Sequence, residues 1–294
     1  MSTTAIDPSQ WTNLLDPNSD VLLVGGQDYY VENAEQSYSL TSPSTGVLQF
    51  EVQAGDVWSA VDPTTKNRSE ISGLTTFLPG TQINVSYGFN LLPGSVNSSS
   101  WCVIGQFHQL NNDGNSPPLE VDLVGQKMAV QVDYLNASGV EVYKTIYTDS
   151  QNIVEGHNYA MNIQVTFNAN GTGHVVLTRD GVTLVDYTGQ MGFAANPDVY
   201  WKEGIYRAAS TTTMTAQYSN LNITTGAAAA PSAPAAPTPV APTSAADAYA
   251  AKAGAALSVS AAQGVLANDA DHNGQSLTAA LAANGGPAHG TLVL

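Results

Sequence analysis

Three short segments carry the side chains of this chain best suited to chemistry: Asn67-Arg68-Ser69-Glu70-Ile71-Ser72, Gly105-Gln106-Phe107-His108 and Tyr200-Trp201-Lys202-Glu203-Gly204-Ile205-Tyr206-Arg207. Each reads as a β-strand, and side chains alternate across a strand. Arg68 and Glu70 therefore share one face, as do Gln106 and His108, and as do Tyr200, Lys202 and Tyr206. A cation, an amide, an imidazole and a phenol aimed into one groove suit proton abstraction beside a carboxylate.

Such a proton is very weakly acidic, because its removal places more negative charge next to an existing anion. In a uronic-acid polysaccharide the proton is on C5, and a catalyst must neutralise the carboxylate, supply a base and protonate the leaving O4 for β-elimination to break the chain. His108 is the natural base or carboxylate partner, with an ordinary pKa of about 6.5. Gln106, two residues away, can hydrogen-bond the substrate carboxyl, and Arg68 adds a fixed cation held in place by Glu70. Tyr206 can donate to O4 and, if Arg68 or Lys202 keeps it ionised, can also take the C5 proton. Lys202 is expected to hold a neighbouring uronate, and Glu70, Tyr200 and Arg207 complete the substrate-binding set. None of this chemistry requires a metal or other cofactor.

Taken singly, each residue also has a structural role open to it. Arg68 and Glu70 could form an ordinary ion pair, His108 a structural hydrogen bond, and Tyr200 and Tyr206 the rim of a core. Independent structural roles do not predict all three motifs in this order on one chain.

The elements that must position these side chains read as β throughout. Ile83, Val85, Tyr87, Phe89 and Leu91 alternate with polar or small residues, as do Tyr159, Met161, Ile163, Val165 and Phe167, and as do Met128, Val130, Val132 and Tyr134. Asp180-Gly181 between His174–Leu177 and Val182–Tyr187 is a hairpin signal, since a tight turn needs positive φ angles. Many short antiparallel strands without helical periodicity predict an all-β sandwich or jelly roll, one sheet face in the core and the other lining a polar groove.

Of 294 residues only 8 are Lys or Arg against 24 Asp or Glu, a formal net charge of −16. Such a chain repels nucleic acid and anionic lipid, so an anionic ligand must be met by locally placed cations. The one cysteine, Cys102, allows no intramolecular disulfide and is expected to be a buried small hydrophobe. No stretch has the apolar length of a membrane span, and the N-terminus shows no signal pattern.

Ala and Pro dominate residues 226–246, an extended linker that cannot build a core. It separates a β domain over residues 1–225 from a short tail over 247–294. Through Gly264-Val265-Leu266-Ala267-Asn268-Asp269 and Gly286-Pro287-Ala288-His289-Gly290-Thr291-Leu292, the tail resembles the start of the cadherin-like, immunoglobulin-type repeats of large secreted bacterial proteins. Asp269-x-Asp271-x-Asn273-Gly274 matches the opening of a calcium loop, with Ala280 where an EF-hand has Glu; a structural calcium ion and a plain acidic turn both remain open.

The order Arg-Ser-Glu, Gln-Phe-His, Tyr-x-Lys-x-Gly-Ile-Tyr, over about residues 20 to 224, resembles the jelly-roll polysaccharide lyases: the alginate lyases and the heparin lyase I and glucuronan lyase group. In alginate lyases the motifs run Arg-x-Glu-Leu-Arg, Gln-Ile/Val-His and Tyr-Phe-Lys-Ala-Gly-x-Tyr-x-Gln. The resemblance places the family's arginine on Arg68, its glutamine on Gln106, its histidine on His108 and its catalytic tyrosine on Tyr206. It implies a β-jelly roll of the concanavalin type and a secreted bacterial monomer that cleaves an anionic polysaccharide. Ser72 stands where the alginate pattern has a second arginine and Ala208 where it has glutamine, and the third motif reads more like the glucuronan group. So few cations disfavour a heavily sulfated ligand, leaving an unsulfated polyuronate of glucuronan or alginate type. Two other functions fit the same architecture. One is a non-catalytic polysaccharide-binding module; the other is a glycoside hydrolase using two carboxylates such as Glu120 and Asp122, which share a face.

Overall fold

A computed structural model describes residues 21–58, 61–111, 114–226, 243–269, 277–281 and 292. The chain divides into two compact units, Met1–Ser232 and Ala233–Leu294. The first is built of two antiparallel sheets. The eight-stranded sheet runs in the order β1 (Val21–Val24), β2 (Gln27–Asn33), β5 (Lys66–Gly73), β14 (Val199–Ala208), β7 (Cys102–Gln109), β8 (Leu119–Val124), β9 (Lys127–Leu135) and β10 (Glu141–Thr148). The seven-stranded sheet runs β13 (Val182–Met191), β12 (Asn168–Arg179), β11 (Tyr159–Thr166), β6 (Gln82–Leu91), β15 (Met214–Thr225), β4 (Val47–Val52) and β3 (Leu40–Ser44). No α-helix occurs among the described residues, and no helix there is long and apolar enough to cross a membrane. This is the all-β jelly-roll sandwich that the alternation predicts.

Period-two patterning decides which side chains face inward. Along β6 every second residue is buried, from Ile83 to Leu91, and Met161, Ile163 and Val165 of β11 follow the same rule. Removing this apolar surface from water supplies the driving force for stacking the sheets, at about 25 cal/mol per Å². Aromatic rings fill the interior: Tyr218 of β15 sits edge-on to Phe50 and Phe89 at 5.3 and 5.4 Å, and Trp201 of β14 lies 5.0 Å from Phe107 of β7. The hairpin between β12 and β13 turns on Asp180 and Gly181, at φ 51° and 77°, the two positive angles the sequence anticipates. Cys102 is free and buried, its Sγ 3.8 Å from the sulfur of Met214.

In the second unit the described residues form one 3-10 turn, Ala261–Gln263. Tyr249 donates to the Gln263 carbonyl at 3.0 Å, and Asp269 accepts from the Ala245 amide at 2.9 Å. Most of the expected linker, residues 271–274 of the acidic loop and the Gly286–Thr291 segment lie outside the described residues.

Candidate active site

The three motifs are β5, β7 and β14, neighbours in the middle of the eight-stranded sheet. Register brings their polar faces together. Lys202 lies opposite Ser72 on one side and Gln106 on the other, Tyr200 opposite His108, and Tyr206 opposite Arg68. Glu32 of β2 extends the floor opposite Glu70, and Glu120 of β8 extends it opposite Gln106. The other faces of these strands, with Ile71, Phe107, Trp201 and Ile205, are in the core.

A glycine shapes the centre of β14. Gly204 has φ +135°, and a Cβ there would come within 2.6 Å of the Glu70 Cα and closer still to the Ser69 carbonyl, so no other residue fits. Here the pairing of β14 with β7 slips by one residue between Glu203 and Tyr206, a β-bulge that re-aims Tyr206. Tyr218 supports it from the opposite sheet, its hydroxyl 2.6 Å from the Ile104 carbonyl and 2.8 Å from that of Gly204.

The groove floor is a network of buried charges. Arg68 donates from Nε and Nη2 to both oxygens of Asp62, at 2.6 and 2.9 Å, a bidentate pair. Its Nη1 meets Glu32 at 2.7 Å and Glu70 at 2.8 Å. The Lys202 ammonium bridges the same two glutamates, at 2.6 Å to Glu32 and 3.2 Å to Glu70. Gln106 donates to the remaining oxygen of Glu70 at 2.7 Å. Burial alone would raise the Glu32 carboxyl, but Lys202 and Arg68 outweigh it and hold the group below the usual carboxylate range. Burial likewise works against Lys202 and Arg68, and the facing carboxylates overcome it, keeping both cations charged.

His108 is stacked on Tyr200, ring centres 5.6 Å apart, and its Nδ1 lies 2.9 Å from the Gln109 carbonyl. A carbonyl only accepts, so Nδ1 carries the proton and the lone pair is on Nε2. Burial, reinforced by Lys202, pushes the imidazole down to about 4, so it is neutral and basic across the physiological range. Tyr206 has the opposite bias. Burial raises the phenol above its ordinary range, Arg68 opposes this, and Asp62, Glu70 and Glu32 add to it. The hydroxyl therefore keeps its proton: it is a donor in the resting site, not the phenolate that ionisation by Arg68 or Lys202 would give. The Arg68 guanidinium lies 3.6 Å from the centre of the Tyr206 ring, and Trp101 packs edge-on at 4.9 Å. Five residues along β7 separate the row of His108 from that of Tyr206, about 16 Å at the backbone. Gln106 and Lys202 lie between the two rows.

Three placements are corrected, Glu70 first: it is fully buried with both oxygens taken by Gln106, Arg68 and Lys202, so it does not meet sugar. Arg207 does not line the groove: it alternates with Tyr206 onto the core side, fully buried opposite Asn67 and Cys102, and its Nη2 donates to the Thr212 carbonyl. Lys202 does not reach along the groove to a neighbouring sugar; the two glutamates pin it beside Gln106. Four residues escaped the sequence. Glu32 and Asp62 arrive from β2 and from the loop before β5, which no local pattern reveals, and Trp101 precedes β7. Lys66 was within reach, since it continues the alternation of Arg68 and Glu70.

Beyond Gln106, Glu120, Asp122 and Asp133 line the same face of β8 and β9. Burial and mutual repulsion raise Glu120 well above the usual range, burial raises Asp122, and burial with Glu141 and Asp122 lifts Asp133 to about 8. Among the described residues, no three His, Cys, Asp or Glu side chains form a group that could hold a metal ion.

Among solved structures, the chain is similar to the endo-β-1,4-glucuronan lyase of the fungus Trichoderma reesei, at 11% identity and a TM-score of 0.52 over 70% of this chain and 91% of that one. It also matches the alginate lyase of Corynebacterium sp. at 11% identity, covering 65% of this chain and 82% of that one, with a TM-score of 0.48. An alginate lyase of polysaccharide lyase family 7 matches at 18% identity, covering 65% and 85%, with a TM-score of 0.48. At these identities the glucuronan lyase match speaks for the fold alone. A search of curated protein sequences finds no match. The family profile described as polysaccharide lyase covers residues 27–222, every strand but β1 and the last residues of β15, with all three motifs included, and on that match the chain belongs to the polysaccharide lyase family.

Proposed function

We propose that the chain cleaves a uronic-acid polymer of glucuronan or alginate type by β-elimination, leaving an unsaturated uronate at the new non-reducing end. The observation that carries this is the opposed bias of two groups flanking one amide. His108 is neutral with its Nε2 lone pair unengaged among the described residues, Tyr206 holds its proton, and Gln106 with Lys202 lies between their rows. A base, an acid and a carboxylate-binding centre are what the reaction needs.

The substrate carboxylate meets the Gln106 amide beside the Lys202 ammonium, which makes it resemble a neutral acid and C5 easier to deprotonate. His108 Nε2 takes the C5 proton, the C4–C5 double bond forms, and O4 leaves with the proton of Tyr206. Arg68, its Nε and both Nη groups engaged by three carboxylates, fixes the Tyr206 ring from below rather than binding sugar itself. No step requires a metal. Hydrolysis needs one carboxyl held as an acid and its neighbour as an ionised base or nucleophile, whereas burial raises Glu120 and Asp122 in the same direction.

Product analysis on a panel of polyuronates separates the alternatives. Elimination gives ultraviolet-absorbing ends with no water added by mass. New reducing ends without absorbance would mean hydrolysis, and binding without product a carbohydrate-binding module.

A further inference from the structure

Lys66 takes no part in the steps above, yet it makes the closest polar contact to the group that must give up a proton. It lies on the groove face of β5 two residues before Arg68, and its Nζ donates to the Tyr206 hydroxyl. The ammonium is also 5.1 Å from the centre of the Tyr206 ring.

Two cations thus converge on one phenol, and they do different work. Arg68 faces the ring and is neutralised by Asp62, Glu32 and Glu70. Lys66 forms no ion pair among the described residues and touches the oxygen whose charge changes. The other charged groups acting on the Tyr206 phenol are Asp62 from the loop before β5, Glu70 of β5 and Glu32 of β2, all acidic. Burial first, and then these carboxylates, make the phenolate unfavourable, so an adjacent cation is needed once the proton leaves.

We propose that Lys66 is the positioning residue of the proton donor: it fixes the Tyr206 hydroxyl and stabilises the negative charge left on its oxygen when the proton goes to O4. This rests on the β-elimination reading. In that step the C5–H bond breaks, its electron pair forms the C4–C5 double bond, and the C4–O4 pair departs on O4, which gains the Tyr206 proton. His108 then holds the C5 proton and releases it to solvent, and the phenolate beside Lys66 recovers a proton from solvent, so no other reactant is consumed.

A cation that acts on charge present only after proton transfer stabilises the transition state more than the bound substrate. Lys66→Met and Lys66→Gln are each expected to lower kcat about 10²-fold, the usual loss for one donor at a developing oxyanion, with KM nearly unchanged. Lys66→Arg is expected to recover most of the rate. All three are assayed for unsaturated product on the best polyuronate, with thermal midpoints confirming a folded protein. If the wild-type protein is active and the neutral variants keep its kcat, or if KM moves and kcat does not, the role of Lys66 is overturned and elimination stands. If the wild-type protein forms no unsaturated product from any uronate polymer, elimination falls and the role of Lys66 with it.

Discussion

The side-chain amide of Gln106 donates to one oxygen of Glu70 at 2.7 Å, while the other oxygen of that carboxylate meets Arg68 at 2.8 Å and Lys202 at 3.2 Å. One fully buried carboxylate therefore ties β5, β7 and β14 together at the centre of the groove. Removing it leaves two buried cations each short of a partner, and breaking such a pair costs about 3–5 kcal/mol. Glu70→Ala is expected to lose stability of that order in equilibrium denaturation, and activity with it. A loss under about 1 kcal/mol would show that the groove does not depend on this residue.

The neutrality of His108 fixes an acid limit. With the imidazole pushed down to about 4, the basic form is present above that pH and is lost below it. The acid limb of kcat/KM is expected near pH 4, well below where an ordinary histidine would put it. Lys202→Met removes a cation that lowers this pKa, so the limb moves upward. A wild-type limb near 6.5, the ordinary histidine value, would contradict the assignment of His108 as a buried base.

Carboxyls on β8 and β9 set a second pH dependence, this one in binding. Asp133, lifted to about 8, and Glu120 and Asp122, also raised, carry protons in mildly acidic solution and ionise as the pH climbs. Each new charge repels an anionic polymer in the same groove. KM for a polyuronate is expected to rise between about pH 6 and 8, and Asp122→Asn combined with Asp133→Asn to flatten that rise. A KM independent of pH in the wild-type protein would rule out substrate passing over these strands.

Stability carries the mark of another carboxyl. Glu203 is fully buried on the core side of β14, where burial raises it to about 8 against the weaker pull of a Trp201 hydrogen bond at 3.3 Å. The unfolded chain loses that proton near an ordinary glutamate value of about 4.3. The contribution is therefore complete below that value, falls by roughly 1.4 kcal/mol per unit as pH rises, and is gone above about 8. Glu203→Gln is expected to flatten this decline in denaturant unfolding followed from pH 5 to 9. An unchanged slope would mean that Glu203 does not hold a proton in the fold.

Much of this arrangement is legible in the sequence because a strand has period two. The shared faces of Arg68 with Glu70, Gln106 with His108 and Lys202 with Tyr206 follow from spacing, and so do the inward rows of β6 and β11. The same rule places Arg207 on the face opposite Tyr206, and its scarcity as a cation concealed that. Partners from distant segments obey no local rule. Glu32 is 36 residues from Arg68 and 170 from Lys202, so the saturation of both cations depends on sheet order, which alternation does not encode. The pH behaviour was equally hidden, because the proton held by Glu203 and that missing from His108 are consequences of burial.

The central claim is that this groove performs elimination, and the direct measurement is absorbance of unsaturated ends released from glucuronan, alginate and other polyuronates. Wild-type protein and Tyr206→Phe are compared on each polymer, with product mass identified. The wild-type protein is expected to generate absorbing product from at least one unsulfated polyuronate, and Tyr206→Phe to bind that polymer with similar affinity while turning over at least about 10²-fold more slowly. Absorbing product from Tyr206→Phe at the wild-type rate, or none from the wild-type protein on any polyuronate, would contradict the account.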